Sequence, residues 1–176
     1  MAFGGSVERG LAYQLGALSL FISVAAILTA LAFQYLGGYH PCPLCLMQRY
    51  AYYVSIPLLF IALALASGGY RGWAGVLFFL VALSYLANTG LGVYHAGAEW
   101  KYWPGPDTCG GDQGVAATAG GLLKDLESIK VVRCDEASWR MLGLSFAGWS
   151  AVISFFLMAL TLRASFAVSD SDANSR

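Results

Sequence analysis

Four stretches of the chain run without a single charged residue for about the length of a membrane crossing, and polar segments separate them. The first is Tyr13 to Leu36, longer than the roughly 20 residues a helix needs to cross the hydrocarbon. The second, 50–67, is shorter and interrupted by Pro57, a residue that membrane helices tolerate. The third, 73–94, contains Asn88 and Thr89, which are expected to face other helices. The fourth, 141–162, opens with Gly143, Ser145, Ala147, Gly148, Ser150 and Ala151, a small-residue surface suited to close helix packing. Arg163 is expected to end it, and 164–176 to form a polar tail. Between the spans lie a loop at 37–49, a tight turn over Ser67-Gly68-Gly69-Tyr70-Arg71-Gly72, and a long loop at 95–140. In that loop Trp100, Tyr102 and Trp103 read as an interfacial aromatic belt. Further on, Leu122, Leu123, Leu126 and Ile129 recur at helical spacing. They predict a short amphipathic helix, lying on the membrane surface or packed on its own loop. The pattern as a whole predicts an all-α integral membrane protein, a four-transmembrane-helix bundle forming one domain over 1–176.

A secretory signal is the competing reading of the first run, because Ala30-Leu31-Ala32 resembles a cleavage site. The apolar core of such a signal is only about 7–15 residues, and cleavage there would leave the loop after it almost at a new N-terminus. A retained first span is the expectation.

Composition sharpens the picture. The chain has 176 residues, of which 58% are hydrophobic and 11% charged; a soluble domain carries about 25% charge. The formal net charge is zero and the lysines and arginines form no basic block, so the lipid bilayer is the expected surroundings and nucleic acid is not an expected partner. Four spans place the loops 37–49 and 95–140 on the same side of the membrane. Which side is not decided by charge: Arg9, Arg71 and Arg163 flank the spans on one face, Arg49, Lys101 and Arg140 on the other. Persistent disulfides belong outside the cytoplasm, and that argument orients the chain.

All four cysteines lie in those two loops: Cys42 and Cys45 in the first, Cys109 and Cys134 in the second. Cys42-Pro43-Leu44-Cys45 is a Cys-x-x-Cys pair, with Pro41 and Pro43 holding it out of helix until about Leu44. Cys45 should then lie near the first turn of the second helix, where the helix dipole and the paired cysteine favour the thiolate. Arg49 follows four residues later on the same face. Its cation can stabilise a Cys45 thiolate or an oxygen anion on a bound acceptor, or it can simply reach the interface. Zinc is the alternative for the pair, with His40, Cys42, Cys45 and His95 as a conceivable ligand set. His40-x-Cys is a poor ligand spacing and Pro43 stiffens the loop, so no metal is expected. Cys109 and Cys134 can staple their own loop, or act as a second exchangeable pair that meets a protein substrate in water. The membrane-edge pair would then meet the final acceptor. No metal or flavin motif is present, and a lipid-soluble quinone beside Cys45 fits the location. His95, where the third span leaves the membrane, can hydrogen-bond such an acceptor, shuttle a proton, or face headgroups.

Three motifs together resemble the bacterial disulfide bond formation protein B (DsbB) family of membrane oxidoreductases. Pro41-Cys42-Pro43-Leu44-Cys45 with Gln48-Arg49 is similar to the family's first-loop motif. Tyr94-His95, Glu99 and Trp103-Pro104-Gly105-Pro106 ahead of Cys109 resemble the start of its second loop. Val132-Arg133-Cys134-Asp135, Trp139, Leu142-Gly143-Leu144-Ser145 and Trp149 resemble its approach to the last helix. The resemblance implies a bundle in the bacterial inner membrane, multi-pass, with cysteine loops facing the periplasm and both termini in the cytoplasm. It implies reoxidation of a periplasmic thioredoxin-fold thiol oxidase of the DsbA type. Cys109 would form the mixed disulfide with that partner, Cys134 would resolve it, and electrons would pass to Cys42–Cys45 and then to ubiquinone or menaquinone beside Cys45, Arg49 and His95. Pro43 and Gln48 depart from the family motif without removing a reacting group. Two alternatives are a vitamin K epoxide reductase-like thiol–quinone oxidoreductase, whose Cys-x-x-Cys comes late in the chain rather than first, and a non-enzymatic four-span scaffold of tetraspanin type, which would need no Cys-x-x-Cys at the membrane edge.

Overall fold

The computed structural model describes residues 3–105 and 140–173. Four helices make up almost all of it: α1 (Phe3–Tyr35), α2 (Pro43–Ser67), α3 (Arg71–Glu99) and α4 (Phe146–Ala173). Each holds a segment long and apolar enough to cross a bilayer, over Gly10–Tyr35, Pro43–Ser67, Arg71–Glu99 and Phe146–Asp170. The expected all-α, four-span architecture is what the chain forms. Consecutive helices run antiparallel and neighbour one another, and α4 closes the ring by packing on both α3 and α1. Cys109, Cys134 and the expected amphipathic helix around 122–129 lie outside the described residues.

The helix boundaries differ from expectation in four places, each for a local reason. Helix α2 begins at Pro43, one residue ahead of the expected start near Leu44 and well before the apolar run at 50. Proline is favoured at the first helical position, where its missing N–H has no bond to lose and its φ is already helical. Cys42 becomes the N-cap in an extended conformation, so the Cys-x-x-Cys pair belongs to the first turn rather than to a loop. Helix α3 continues past Tyr94 to Glu99, which places His95 on a helix and buries it. Helix α4 starts at Phe146, not at Met141. Ahead of it Arg140–Met141 (β1) and Leu144–Ser145 (β2) pair antiparallel, Arg140 with Ser145 and Met141 with Leu144. The two residues between them, Leu142 and Gly143, have φ of 54° and 84°, the pattern of a type I′ turn. Ser145 then caps α4, its Oγ accepting the Gly148 backbone N–H at 3.2 Å. At the far end α4 runs on to Ala173, because no Gly or Pro follows Arg163 to stop it. The residues expected as a tail are helical to that point.

Several polar residues within the spans face the bundle interior, whereas Gln14 and Thr29 on α1 are exposed. Ser23 on α1 hydrogen-bonds Tyr85 on α3 at 2.7 Å. Ser154 on α4 is bonded by Asn88 at 2.8 Å and by Tyr52 at 3.1 Å. Asn88 thus meets another helix as expected, whereas Thr89 bonds the Tyr85 carbonyl of its own helix. The small-residue surface of α4 has the expected use: a Cβ added to Gly92 on α3 would lie 2.9 Å from the Cβ and 3.1 Å from the Cα of Ala151.

Candidate active site

The N-terminus of α2 and the C-terminal turns of α3 meet at one end of the bundle, and the reactive side chains converge there. Cys42 and Cys45 are one helical turn apart, and their sulfurs lie 3.2 Å from each other, close enough to share a thiol proton. The Cys45 backbone N–H, one of the unpaired donors at the start of α2, points at Cys42 Sγ from 3.3 Å. From α3, His95 Nε2 approaches the same sulfur to 3.6 Å. The Gln48 amide nitrogen stands 3.0 Å from His95 Nδ1; donation there leaves Nε2 to carry the ring hydrogen, directed at Cys42. Glu99, one turn beyond His95, brings Oε1 to 3.8 Å from Nε2. Its other oxygen is buried without a hydrogen-bond partner.

These contacts favour negative charge on Cys42 in a reduced pair. The Cys45 thiol hydrogen bond, then the His95 bond and the Cys45 backbone N–H, outweigh the cost of burial and pull the Cys42 thiol down from 9.0 to about 4. The expectation from sequence is a thiolate on Cys45; the contacts in this arrangement favour the charge on Cys42. That preference follows from the cap: Cys42, not Cys45, receives the helix N-terminal N–H and the imidazole.

Cys45 faces the other way. With Arg49 it lines a cavity of about 630 Å³ between α1, α2 and α4, within the size range of small-molecule sites. Phe33, Tyr39 and Phe146 form part of its wall, their ring centroids 5.0–6.1 Å apart in edge-to-face contacts. Gln34, Gln48 and Arg49 are among its polar groups, with Thr29, Tyr52 and Ser150. The Arg49 guanidinium is anchored on α1, donating to Gln34 Oε1 and, at 3.5 Å, to the Ala30 carbonyl. A guanidinium has five N–H donors, so an arginine held this way keeps donors for an acceptor oxygen in the cavity it lines. Apolar walls with donors gathered at one edge fit a planar, largely apolar ring that carries carbonyl oxygens.

The structure therefore brings together Cys42, Cys45 and His95, whose ligand atoms all lie within 4.8 Å of one another, and sets Arg49 beside Cys45 in the cavity wall. His40 is not part of that cluster. Gln48, Gln34 and Glu99 join the site without being expected there as functional residues. For Glu99 a signal was available, since it stands four residues after His95 and so shares its helix face.

A family model described as "Disulfide bond formation protein DsbB" matches residues 13–164. The chain belongs to the DsbB family. Curated relatives named disulfide bond formation protein B agree over most of their length. That of Aromatoleum aromaticum is 34% identical over 86% of this chain and 87% of its own. That of Azoarcus sp. (strain BH72) is 35% identical over 81% and 86%, and that of Albidiferax ferrireducens 31% over 81% and 82%. No solved structure matches. This DsbB-family chain is thus a multi-pass membrane oxidoreductase of disulfide bond formation, and its Cys-x-x-Cys pair stands at the mouth of the bundle.

Proposed function

We propose that the protein is a quinone-dependent thiol oxidase of the bacterial inner membrane, with its cysteine loops in the periplasm, that reoxidises a DsbA-type dithiol oxidase. The observation that carries this reading is the division of labour within one pair: Cys45 and Arg49 line the cavity, while Cys42 is turned toward His95. In this reading Cys109 forms the mixed disulfide with the partner and Cys134 resolves it. Their disulfide is then restored by exchange with Cys42–Cys45, which is left as the dithiol. A bound quinone would accept the two electrons that the pair gives up when it closes again, together with the one proton left on the pair and a second from solvent.

The chain's own residues prepare that step. The N-cap geometry and His95 keep Cys42 ionised, so only the proton on Cys45 has to leave as the disulfide forms. Arg49 orients an acceptor oxygen at the cavity edge and balances charge developing on it. Gln48 bridges His95 and the cavity wall, which gives a proton a hydrogen-bonded path between the two compartments of the site. The aromatic walls exclude water around the acceptor.

Purified protein in detergent, given a reduced DsbA-type protein and a soluble quinone, is expected to consume quinone absorbance. Cys45→Ser and Cys109→Ser are each expected to abolish turnover. Absence of turnover from well-folded wild-type protein with both ubiquinone and menaquinone analogues would overturn the reading.

A further inference from the structure

Two thiols, an imidazole and a carboxylate meet at the end of α3, and the imidazole is the only basic side chain in the group. Cys42 Sγ, Cys45 Sγ and His95 Nε2 lie within 4.8 Å of one another, with the sulfurs 3.2 Å apart and Nε2 3.6 Å from Cys42. A tetrahedral zinc centre with Zn–S of about 2.3 Å and Zn–N of about 2.0 Å needs ligand atoms separated by roughly 3.3–3.8 Å. Glu99 stands at the side of this set, Oε1 3.8 Å from the same Nε2, and its second oxygen is buried without a partner. A buried, unsatisfied carboxylate oxygen is costly, and a cation beside it would remove the cost. The site also has the outer support that a metal-bound histidine requires. His95 Nδ1 faces Gln48 at 3.0 Å, and rotation of that amide presents its oxygen to an Nδ1–H once Nε2 is committed to a metal.

We propose that the reduced form of this protein binds a soft divalent cation, with Zn²⁺ as the reference ion, through Cys42, Cys45 and His95, and that a water held by Glu99 takes the fourth position. Sequence spacing speaks against zinc by way of His40. In the structure the bundle joins the two segments, and Glu99 rather than His40 stands beside the cluster. Binding is not a redox step: the metal takes two thiolates, and the one proton left on the pair is released to solvent. The disulfide form offers no thiolate and binds nothing. The centre is therefore a redox-gated brake, since metal bound to the dithiol prevents it from closing to the disulfide.

The test uses full-length protein in detergent, freed of quinone, reduced, and titrated anaerobically with Co²⁺ and then Zn²⁺. One equivalent of Co²⁺ should produce the intense visible bands of a tetrahedral centre and a thiolate-to-metal charge-transfer band. Zn²⁺ should bleach both. The same spectrum is expected from the Cys109→Ser/Cys134→Ser protein, and none from oxidised wild type. Against a chromophoric chelator, Glu99→Gln should loosen Zn²⁺ by at least about tenfold and His95→Ala by more, because loss of even outer-sphere support costs about 10–100-fold. The proposal is overturned by reduced protein that gives no tetrahedral spectrum, by a spectrum that requires Cys109 and Cys134, or by affinity indifferent to both His95→Ala and Glu99→Gln. The comparison of reduced with oxidised wild type needs no variant, so it remains decisive even where a substituted protein misfolds. Turnover with chelator present, read on the same preparation, tests the oxidase reading separately.

Discussion

Replacing His95 with alanine should raise the pH at which Cys42 loses its proton and make the Cys42–Cys45 pair less oxidising. Three donors hold charge on Cys42: the Cys45 thiol, His95 Nε2 and the Cys45 backbone N–H, and with burial opposing them they bring that thiol to about 4. A hydrogen bond to a charged group contributes about 1.5–3 kcal/mol, and one pH unit corresponds to about 1.36 kcal/mol. Loss of the imidazole should therefore move the Cys42 midpoint up by roughly one to two pH units. Because the same bond stabilises only the reduced pair, its loss should lower the reduction potential by roughly 30–65 mV, at about 30 mV per 1.4 kcal/mol. The midpoint is best read in a Cys45→Ser background, where serine keeps a donor to Cys42 and leaves one sulfur in the site. The alkylation rate of Cys42 would be followed against pH by peptide mass. The potential is read in His95→Ala alone, by equilibration with a thiol couple. An unchanged midpoint together with an unchanged potential would refute the role given to His95.

The ionised cysteine has a second consequence. With Cys42 already deprotonated the reduced pair carries one proton, so the potential should fall by about 30 mV per pH unit across the neutral range; a slope near 59 mV, the two-proton value, would contradict the thiolate. Stability follows with the opposite sense to that of a raised group: the folded, reduced protein gains from Cys42 above the unfolded thiol's 9.0, and loses that gain as pH falls through about 4. Unfolding midpoints of reduced and oxidised protein should accordingly converge toward acid. Arg49→Ala should raise the KM for quinone about tenfold or more, the loss of one charge-assisted hydrogen bond, and Arg49→Lys should not restore it, because a point charge cannot replace a fork held on Gln34 and Ala30. An unaltered KM in Arg49→Ala would remove Arg49 from the acceptor site. Gly92→Ala, which sets a Cβ against Ala151, should separate α3 from α4 at a cost of about 1–3 kcal/mol, seen as a lower unfolding midpoint in detergent; an unchanged midpoint would show that the helix contact is looser than described.

Charge-free runs made the four spans legible, since a bilayer-length apolar segment has few other uses. The shared face of Cys42 and His95 followed from the number of spans alone. What the pattern left open was how the helices start and stop at the reactive end. Pro43 reads as a breaker in a proline-flanked pair, yet at the first position of α2 it starts the helix and turns Cys42 into a cap. That one change turns the Cys42 sulfur toward the helix N-terminal N–H and His95. The hairpin ahead of α4 was hidden because Leu142-Gly143 is not the Asn-Gly or Asp-Gly pair that announces a type I′ turn, and apolar Leu142 and Leu144 blend into the span. Arg49 and Cys45 were expected on one face from their spacing, and both line the cavity. The anchor of Arg49 on Gln34, and the bond of Gln48 to His95, depend on which helices neighbour one another, which no local pattern contains.

The central claim is that the acceptor is a quinone held beside Cys45, and a photoactivatable quinone analogue tests it most directly. Irradiated with the purified protein and mapped by mass spectrometry, the label should fall on cavity residues such as Phe33, Tyr39, Phe146 or Trp149, be displaced by excess ubiquinone or menaquinone, and weaken in Arg49→Ala. Label confined to the outer groove of α2 and α3 at Met47, Tyr50 and Leu91, or label that excess quinone does not displace, would contradict the account.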